Sequence, residues 1–335
     1  MATLKDVAKM TGVSVTTVSY ALNNRPEVNE NTRKVVLDAA AKLNYKPNGF
    51  AKDLRMSKTE TIGLILSNIG GPFFSEIISG IEDITFSNGY NLIVCSSYRG
   101  KISTAVKFLY EKRTDGIILM ASDIQDDVIL RAANSDFPVI LLDRELKGDY
   151  IWSVTVDNKR GMYEGAEHLI RLGYKKIGYL SGPSISIDNT QRLSGFKEAL
   201  TDNNLEFYPR WLIQGQFTRS GGYRAIKSLI ATKDYPEAIF CANDEMAIGA
   251  IEAFSEAKID VPGQIALVGF DDIELSSYVK PPLTTVRHPR QLHGDIATHM
   301  LIQALNKDFD NMKNIKLDTQ LIVRESCGFN LKKEV

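Results

Sequence analysis

The sequence predicts a small all-α domain of the helix-turn-helix type, followed by an α/β domain whose parallel sheets form two lobes. Three short amphipathic helices fit the first 46 residues. From Thr61 onward, apolar runs of strand length alternate with amphipathic helices, a pattern typical of parallel sheets covered by helices. This second region of about 270 residues exceeds one comfortable hydrophobic core, so two lobes are expected.

Each N-terminal helix is marked by a capping residue and a buried stripe. Thr3 precedes a helix that ends at Thr11-Gly12, Ser14 precedes the second helix, and the third begins near Asn29. The residues expected to face inward are Leu4, Val7, Ala8, Val18, Ala21, Leu22, Val36, Ala39, Ala40 and Leu43. A glycine turn between the first two helices is the organisation of a helix-turn-helix motif.

The charge distribution and the second helix together indicate a nucleic-acid partner. Residues 1–58 hold ten Lys and Arg against five Asp and Glu, a net charge of +5, whereas the rest of the chain carries −6. In helix-turn-helix geometry Val15, Thr16 and Tyr20 meet base edges, and Thr17 and Ser19 suit phosphates. The alternative is a helical packing domain with ordinary surface threonines.

The stretch NYKPNGFAKDLRMSKT follows the third helix and predicts a conditional helix. Asn48 is placed to cap about eight residues, which are too few to hold a helix in water without a partner. The segment is therefore expected to become ordered only when bound. Leu54 is the apolar residue on this basic turn, and such residues act as wedges in the minor groove. The alternative is a disordered linker, which Gly49 favours.

The runs TLKDVAKMTGVSVTTVSYALN and NYKPNGFAKDL resemble the N-terminus of the lactose repressor/galactose repressor family of transcriptional regulators. The resemblance implies a homodimer that binds a palindromic operator in double-stranded DNA, with paired hinge helices whose leucines open the minor groove. Tyr20 departs from the Arg or His that members often carry. The DNA-binding residues expected on these grounds are Thr3, Ser14, Val15, Thr16, Thr17, Ser19, Tyr20, Asn23, Asn48, Ala51 and Leu54.

The same resemblance runs through RGMYEGAEHLIRLGYKKIGYLSG, CANDEMAIGA, VGFDDIELSS and PPLTTVRHP, and implies a periplasmic-binding-protein-like fold with a ligand cleft between two lobes. A late strand and helix indicate that the chain recrosses between the lobes. The expected domains are 1–46 for DNA binding, 47–59 for the hinge, and 60–330 for effector binding. Within the last, the first lobe is expected at about 60–157 and 289–315, and the second at about 158–288 and 316–330.

Polar residues beyond the carboxyl ends of predicted strands define a candidate ligand cleft. They include Asp143, Asn243 and Asp271, and Phe73 follows the first strand. Carboxylates, amides and aromatic faces suit a polyol. The family resemblance adds Arg192 and Phe217 and marks Arg192 and Asp271 as effector contacts. A mono- or disaccharide is the expected effector, with a purine or nucleoside as the alternative. Phe73 as a core residue, and Asp143 paired with Arg144, are the structural alternatives.

An enzyme and a free solute-binding protein are the competing functions. The sequence contains no phosphate-binding loop, dinucleotide fingerprint, nucleophile elbow or zinc-protease motif, so no catalytic residue, metal or cofactor is expected. Cys95, Cys241 and Cys327 are far apart and read as reduced core thiols. The N-terminus lacks a signal-peptide pattern and no segment matches a membrane span, so a cytoplasmic regulator is expected.

Overall fold

A computed structural model describes residues 2–46, 58–97 and 104–332. Two compact units divide after Thr59. The predicted hinge residues Asn48, Ala51 and Leu54 lie outside the described residues.

The first unit contains α1 (Leu4–Thr11), α2 (Val15–Leu22) and α3 (Glu30–Lys42). Each helix begins at its predicted cap. The Oγ of Ser14 accepts a hydrogen bond from the Thr17 backbone N–H at 3.0 Å, and Thr3 forms a capping box with Asp6. Gly12 ends α1 with φ of +70°, a conformation that glycine adopts without a steric penalty. The predicted helix-turn-helix organisation is confirmed.

A small hydrophobic core holds these helices together. Val7, Val18 and Val36, one from each helix, are fully buried, and alanines at neighbouring turns let the helices approach closely. The whole inward set predicted from the helical period lies in or against this core.

The second unit begins with β1 (Thr61–Leu66), α4 (Pro72–Ser87), β2 (Asn91–Ser96), α5 (Thr104–Glu111), β3 (Gly116–Met120), α6 (Asp126–Ala132), β4 (Val139–Leu142) and β5 (Ile151–Val156). It continues through α7 (Asn158–Arg171), β6 (Ile177–Ser181), α8 (Ile187–Asp202), β7 (Leu212–Gln214), α9 (Arg219–Thr232), β8 (Ala238–Cys241), α10 (Asp244–Glu256), β9 (Ala266–Asp271) and β10 (Thr284–Arg287). It ends with α11 (Arg290–Leu305), β11 (Ile315–Leu317), β12 (Gln320–Ile322) and α12 (Phe329–Lys332).

These strands form two six-stranded sheets with matching topology. The first has the order β11-β5-β4-β3-β1-β2 and the second the order β12-β10-β9-β8-β6-β7. The pairs within both sheets are parallel, except that β12 runs antiparallel to β10. In each sheet the strand order reverses beside the first strand, which is the position where open α/β sheets bind ligands.

Apolar residues cover both faces of the sheets. In β1, Ile62, Leu64 and Leu66 pack on one face of the first sheet, and Ile65 packs on the other. The second lobe has one large core that contains Tyr179, Phe240 and Phe254. Burial on both faces explains why these strands read as continuous apolar runs in the sequence rather than as alternating patterns.

The chain passes between the two sheets three times, at residue 157, at 288–289 and at 318–319. After the second crossing, α11 packs on α4 and on β3, β4 and β5 of the first lobe. The predicted fold class and the recrossing are therefore observed. Two short strands, β7 and β11, were not predicted. Because β11 pairs with β5, the third crossing follows Leu317, slightly later than the predicted lobe boundary.

No helix among the described residues combines the length and apolar character that crossing a membrane requires.

The capping of α3 gives a test of the helical unit. The Oδ1 atom of Asn29 accepts a hydrogen bond from the Thr32 N–H at 2.9 Å. We expect Asn29→Ala to destabilise this unit by about 1 kcal/mol. In the full-length protein, hydrogen-exchange mass spectrometry should then show about fivefold faster exchange of α3 amides. Asn31→Ala, an exposed position inside the same helix, is the matched control and should not accelerate exchange. Equal effects of both changes would contradict the assignment.

Candidate functional site

The exposed face of α2 is uncharged. Val15 is 41% exposed and Tyr20 37%, although both are large apolar side chains that burial would stabilise. Thr16 is exposed beside them. The Ser14 and Thr17 hydroxyls lie 2.8 Å apart at the N-terminus of the helix, where backbone N–H groups favour anions.

The other residues predicted to contact DNA lie around this surface. The exposed Thr3 donates a hydrogen bond to Asp6 at 2.8 Å. Asn23 is exposed, and its side-chain amide donates a hydrogen bond to the Ser19 carbonyl at 2.7 Å, which caps the C-terminal end of α2. Ser19 itself is buried against the helical core, which removes its hydroxyl from the exposed face on which a phosphate would lie. A phosphate contact from Ser19 remains a prediction that its burial does not favour.

A cavity of about 330 Å³ lies where the carboxyl ends of both sheets face each other. The six predicted effector residues all line it: Phe73, Asp143, Arg192, Phe217, Asn243 and Asp271. Phe73 and Asp143 come from the first lobe, and the other four come from the second. Parallel topology explains the convergence, because loops that follow the strands of a parallel sheet gather at one edge.

The Arg192 guanidinium is the main fixed cation of the cavity. This residue is 4% exposed. Its Nε donates to Asn158 Oδ1 at 2.8 Å, and its Nη1 donates to the Ala242 carbonyl at 2.6 Å. The guanidinium carbon lies 3.8 Å from the centroid of the Phe270 ring, a cation–π arrangement. No hydrogen bond joins Nη2 to another described residue, so this nitrogen is available to a ligand.

Asp271 supplies a carboxylate opposite this guanidinium. Its Oδ1 lies 3.2 Å from Arg192 Nη1, which is close enough for an ion pair but misaligned for a hydrogen bond. Burial raises the pKa of Asp271 to about 6, while the charges of Arg192 and Arg290 act in the opposite direction. A buried carboxylate with an unused oxygen is a strong acceptor for ligand N–H or O–H groups.

Three cavity residues have left-handed backbone conformations that glycine would adopt more readily. The φ angles are +53° at Asp143, +57° at Phe217 and +114° at Asp271. Such conformations cost free energy and tend to occur at binding sites. The strain supports a role for these side chains in the cavity rather than in chain packing alone.

The contacts of Asn243 and Asp143 qualify the sequence prediction. Asn243 caps α10 through the Met246 N–H at 3.0 Å and donates to the Phe217 carbonyl at 3.2 Å, so it positions the Phe217 loop. Asp143 does not pair with Arg144, which contacts Asp126 and the Ile124 carbonyl instead. Phe73 is half-buried and packs edge-on against Phe74, with 5.2 Å between ring centroids.

Sequence reasoning missed two acidic residues of the cavity, Asp188 and Glu245. Burial raises the pKa of Asp188 to about 7, the negative charge of Asp143 adds to this effect, and Arg192 opposes it. Burial also raises the pKa of Glu245. Asp188 lies one helical turn before Arg192 on α8, so the i, i+4 spacing was the signal that could have identified it.

Within the described parts of the chain, one cluster has side chains suited to holding a metal ion: Asp143, His288 and His293. It lies at the second crossing, beside the cavity wall.

Two family models match the chain. Residues 3–48 match the model described as bacterial regulatory proteins, lacI family, and residues 166–327 match a periplasmic binding protein-like domain. The first match spans the three helices and the second spans most of the second lobe and the recrossing.

Relatives match along nearly the whole chain. The HTH-type transcriptional repressor PurR of Photobacterium profundum is 36% identical, over 97% of this chain and 98% of its own length. A solved lac repressor dimer, bound to operator and the anti-inducer ONPF, is 30% identical, with a TM-score of 0.81 over 97% of this chain and 99% of that one. The regulator CelR in complex with cellobiose is 27% identical, with a TM-score of 0.72 over 97% and 100%.

The raised pKa of Asp188 predicts a pH dependence of stability. Between the ordinary pKa of 3.8 and the raised pKa of about 7, Asp188 keeps its proton in the folded protein but loses it in the unfolded chain. The free energy of unfolding should therefore fall as the pH rises through this range. We expect Asp188→Asn to make this fall shallower. Urea denaturation between about pH 5 and about pH 8 measures it. Asp202→Asn, exposed on the same helix, is the control; identical slopes for wild type and Asp188→Asn would contradict the prediction.

Proposed function

The chain belongs to the lacI family of bacterial regulatory proteins, and we propose that it is a repressor whose effector is a purine or a nucleoside. As a family member it is a DNA-binding transcriptional repressor with a helix-turn-helix domain and a periplasmic-binding-protein-like domain. The relatives are transcriptional repressors, which supports a regulator over an enzyme.

We propose that α2 enters the major groove of operator DNA. Val15, Thr16 and Tyr20 would meet base edges, with Val15 against a thymine methyl group. Thr3, Ser14, Thr17 and Asn23 would hold the phosphates. This assignment is supported by the exposed, uncharged face of α2 and by the match of residues 3–48 to the lacI family model. A homodimer on a palindromic site is proposed by analogy with the operator-bound lac repressor dimer.

The proposed effector is a flat heterocycle rather than a saccharide, contrary to the sequence-based expectation. The whole-chain relatives named PurR support this revision. The cavity chemistry is compatible with it, since Phe217 offers a ring face for stacking. Arg192 Nη2 would donate to a ring nitrogen or carbonyl, and Asp271 would accept from a ring N–H. Phe73, Asp143 and Asn243 complete the proposed wall of the site.

A sugar remains the second candidate, because solved relatives are described with cellobiose and with ribose bound. Carboxylates, an arginine and aromatic rings also bind sugars, so the residue types alone do not separate the two classes.

We propose that the effector acts through the three chain crossings beside the cavity. A ligand that contacts both lobes favours one relative orientation of the lobes, and its effect is limited to its differential affinity for the two orientations. An inducer would favour the orientation with weaker DNA binding, and a corepressor the orientation with stronger binding. Leu54, which lies outside the described residues, keeps its predicted role at the minor groove.

The DNA contact can be tested with a pair of exposed valines. We expect Val15→Ala to weaken specific operator binding by about 1 kcal/mol and to relax selectivity at one base pair. Val35→Ala, 53% exposed on α3, is the matched control. Fluorescence anisotropy on a palindromic site selected from a DNA library measures both. Equal losses would overturn the placement of α2, and failure of the wild type to bind any duplex at low salt would overturn the function.

The effector class can be tested by thermal-shift screening of the full-length protein with purine bases, nucleosides, mono- and disaccharides and sugar phosphates. We expect a purine base or nucleoside to raise the melting temperature. Phe217→Leu should then weaken binding of that ligand by about 1–3 kcal/mol in calorimetry, because base stacking is lost. Phe207→Leu, in the same lobe but outside the cavity, is the control. Stabilisation by saccharides alone would refute the purine proposal.

A further inference from the structure

Three ionisable side chains meet where the chain crosses between the lobes for the second time. His288 lies in the crossing segment, His293 in the first turn of α11, and Asp143 directly after β4. One nitrogen or oxygen atom of each lies within 4.8 Å of the others. The histidines are 2% and 0% exposed, and the Asp143 side chain is 5% exposed. The cluster is therefore almost completely shielded from solvent.

The tautomer of His293 is fixed by a backbone carbonyl. Its Nε2 lies 2.8 Å from the Val154 oxygen, which can only accept, so Nε2 carries the proton. The Nδ1 atom of the neutral ring then holds a lone pair, and this buried atom has no hydrogen-bond partner among the described residues. Donation of the second ring N–H to a carbonyl is the arrangement that orients metal-binding histidines.

The carboxylate of Asp143 is held in place by the same strand. Its backbone N–H donates to the Val154 carbonyl at 3.0 Å, the oxygen that also accepts from His293. Its Oδ1 accepts from the Val156 N–H at 3.2 Å, which leaves Oδ2 facing His288. The backbone of β5 therefore fixes the side-chain positions of both Asp143 and His293 before any ligand is bound.

The separation of Asp143 from His288 is wrong for a hydrogen bond and suitable for two ligands of one ion. Asp143 Oδ2 lies 3.6 Å from His288 Nε2, beyond hydrogen-bonding range. Two ligands at ordinary zinc bond lengths in a tetrahedral site lie about 3.4 Å apart. Neither ring nitrogen of His288 has a hydrogen-bond partner in residues 2–46, 58–97 and 104–332. Leaving buried polar atoms unpaired costs free energy that a bound cation would recover.

We propose that Asp143, His288 and His293 form a binding site for a divalent transition metal ion of the zinc class. Two imidazoles and one carboxylate suit zinc and its neighbours in the first transition row, whereas magnesium and calcium prefer oxygen ligands. Because Asp143 also lines the cavity, water or a molecule in the cavity would supply the fourth ligand of the ion. The carboxylate of Asp271 pairs with the nearby Arg192 guanidinium at 3.2 Å and offsets part of its charge.

The position of the site gives the ion a structural consequence. Asp143 and His293 belong to the first lobe, while His288 belongs to the segment that connects it with the second lobe. A metal bridge would fasten this crossing to the first lobe and restrict the reorientation of the lobes. Metal binding at this cluster is independent of the chemical class of the effector and of operator binding.

Zinc binding to the untagged full-length protein provides the test. After removal of adventitious metal, competition with a chromophoric chelator should give one Zn²⁺ per chain, and Co²⁺ should give visible absorption typical of low-coordinate nitrogen and oxygen ligation. We expect His293→Leu and His288→Gln each to weaken Zn²⁺ binding by at least about 100-fold, since changes even to residues that only orient the ligands cost about 10–100-fold. His299→Leu, exposed on the same helix, is the matched control and should bind as the wild type does.

The possible outcomes separate the alternatives. Absence of saturable Zn²⁺ binding by the wild type, or unchanged binding by His288→Gln, would overturn the site. Loss of the ion from His299→Leu alone would place the metal on the helix surface and would also overturn it. If His293→Leu fails to fold, the Zn²⁺ affinity of His288→Gln and the Co²⁺ spectrum of the wild type still test the site. Operator binding measured in parallel reports on the proposed function independently.

Discussion

The contacts of the buried Arg192 guanidinium hold the wall of the cavity together. A buried charge costs several kcal/mol unless it is paired and hydrogen-bonded. Arg192 meets this requirement through groups from separate elements: Asn158 of α7, the Ala242 carbonyl after β8, and Phe270 with Asp271 at the end of β9. The same contacts that make the charge tolerable hold the ends of these elements in register, so the second-lobe wall of the cavity is built around one cation.

The strained backbone of the cavity fits this view. Phe217 and Asp271 adopt left-handed conformations, and both lie next to Arg192. The donors, acceptors and ring faces that would contact a ligand are already fixed, so the protein loses little conformational entropy when the ligand binds. Asn243 contributes indirectly, since it caps α10 and fastens the Phe217 loop with the same side chain.

Most of the fold could be predicted because its signals are local. The caps at Thr3, Ser14 and Asn29, and apolar runs such as TIGLIL, depend on neighbouring residues. The strands β7 and β11 could not be predicted, because each is only three residues long and lies partly exposed at the edge of its sheet. The cavity residues at strand ends follow from parallel topology. The burial of Ser19 and the meeting of Asp143 with His288 depend on tertiary packing, which sequence spacing does not encode.

The order of the chain in the first lobe has a consequence for biosynthesis. The helix α11 and the edge strand β11 complete this lobe, yet both follow most of the second lobe, from α7 to β10, in the sequence. Ala297 and Leu301 of α11 pack against the same core as Ile62 and Leu64 of β1. As the chain leaves the ribosome, one apolar face of the first lobe therefore stays uncovered until most of the second lobe and then α11 have been synthesised. A truncation within α11 would leave an uncapped sheet in the lobe that was translated first, which is a surface for chaperones or for aggregation.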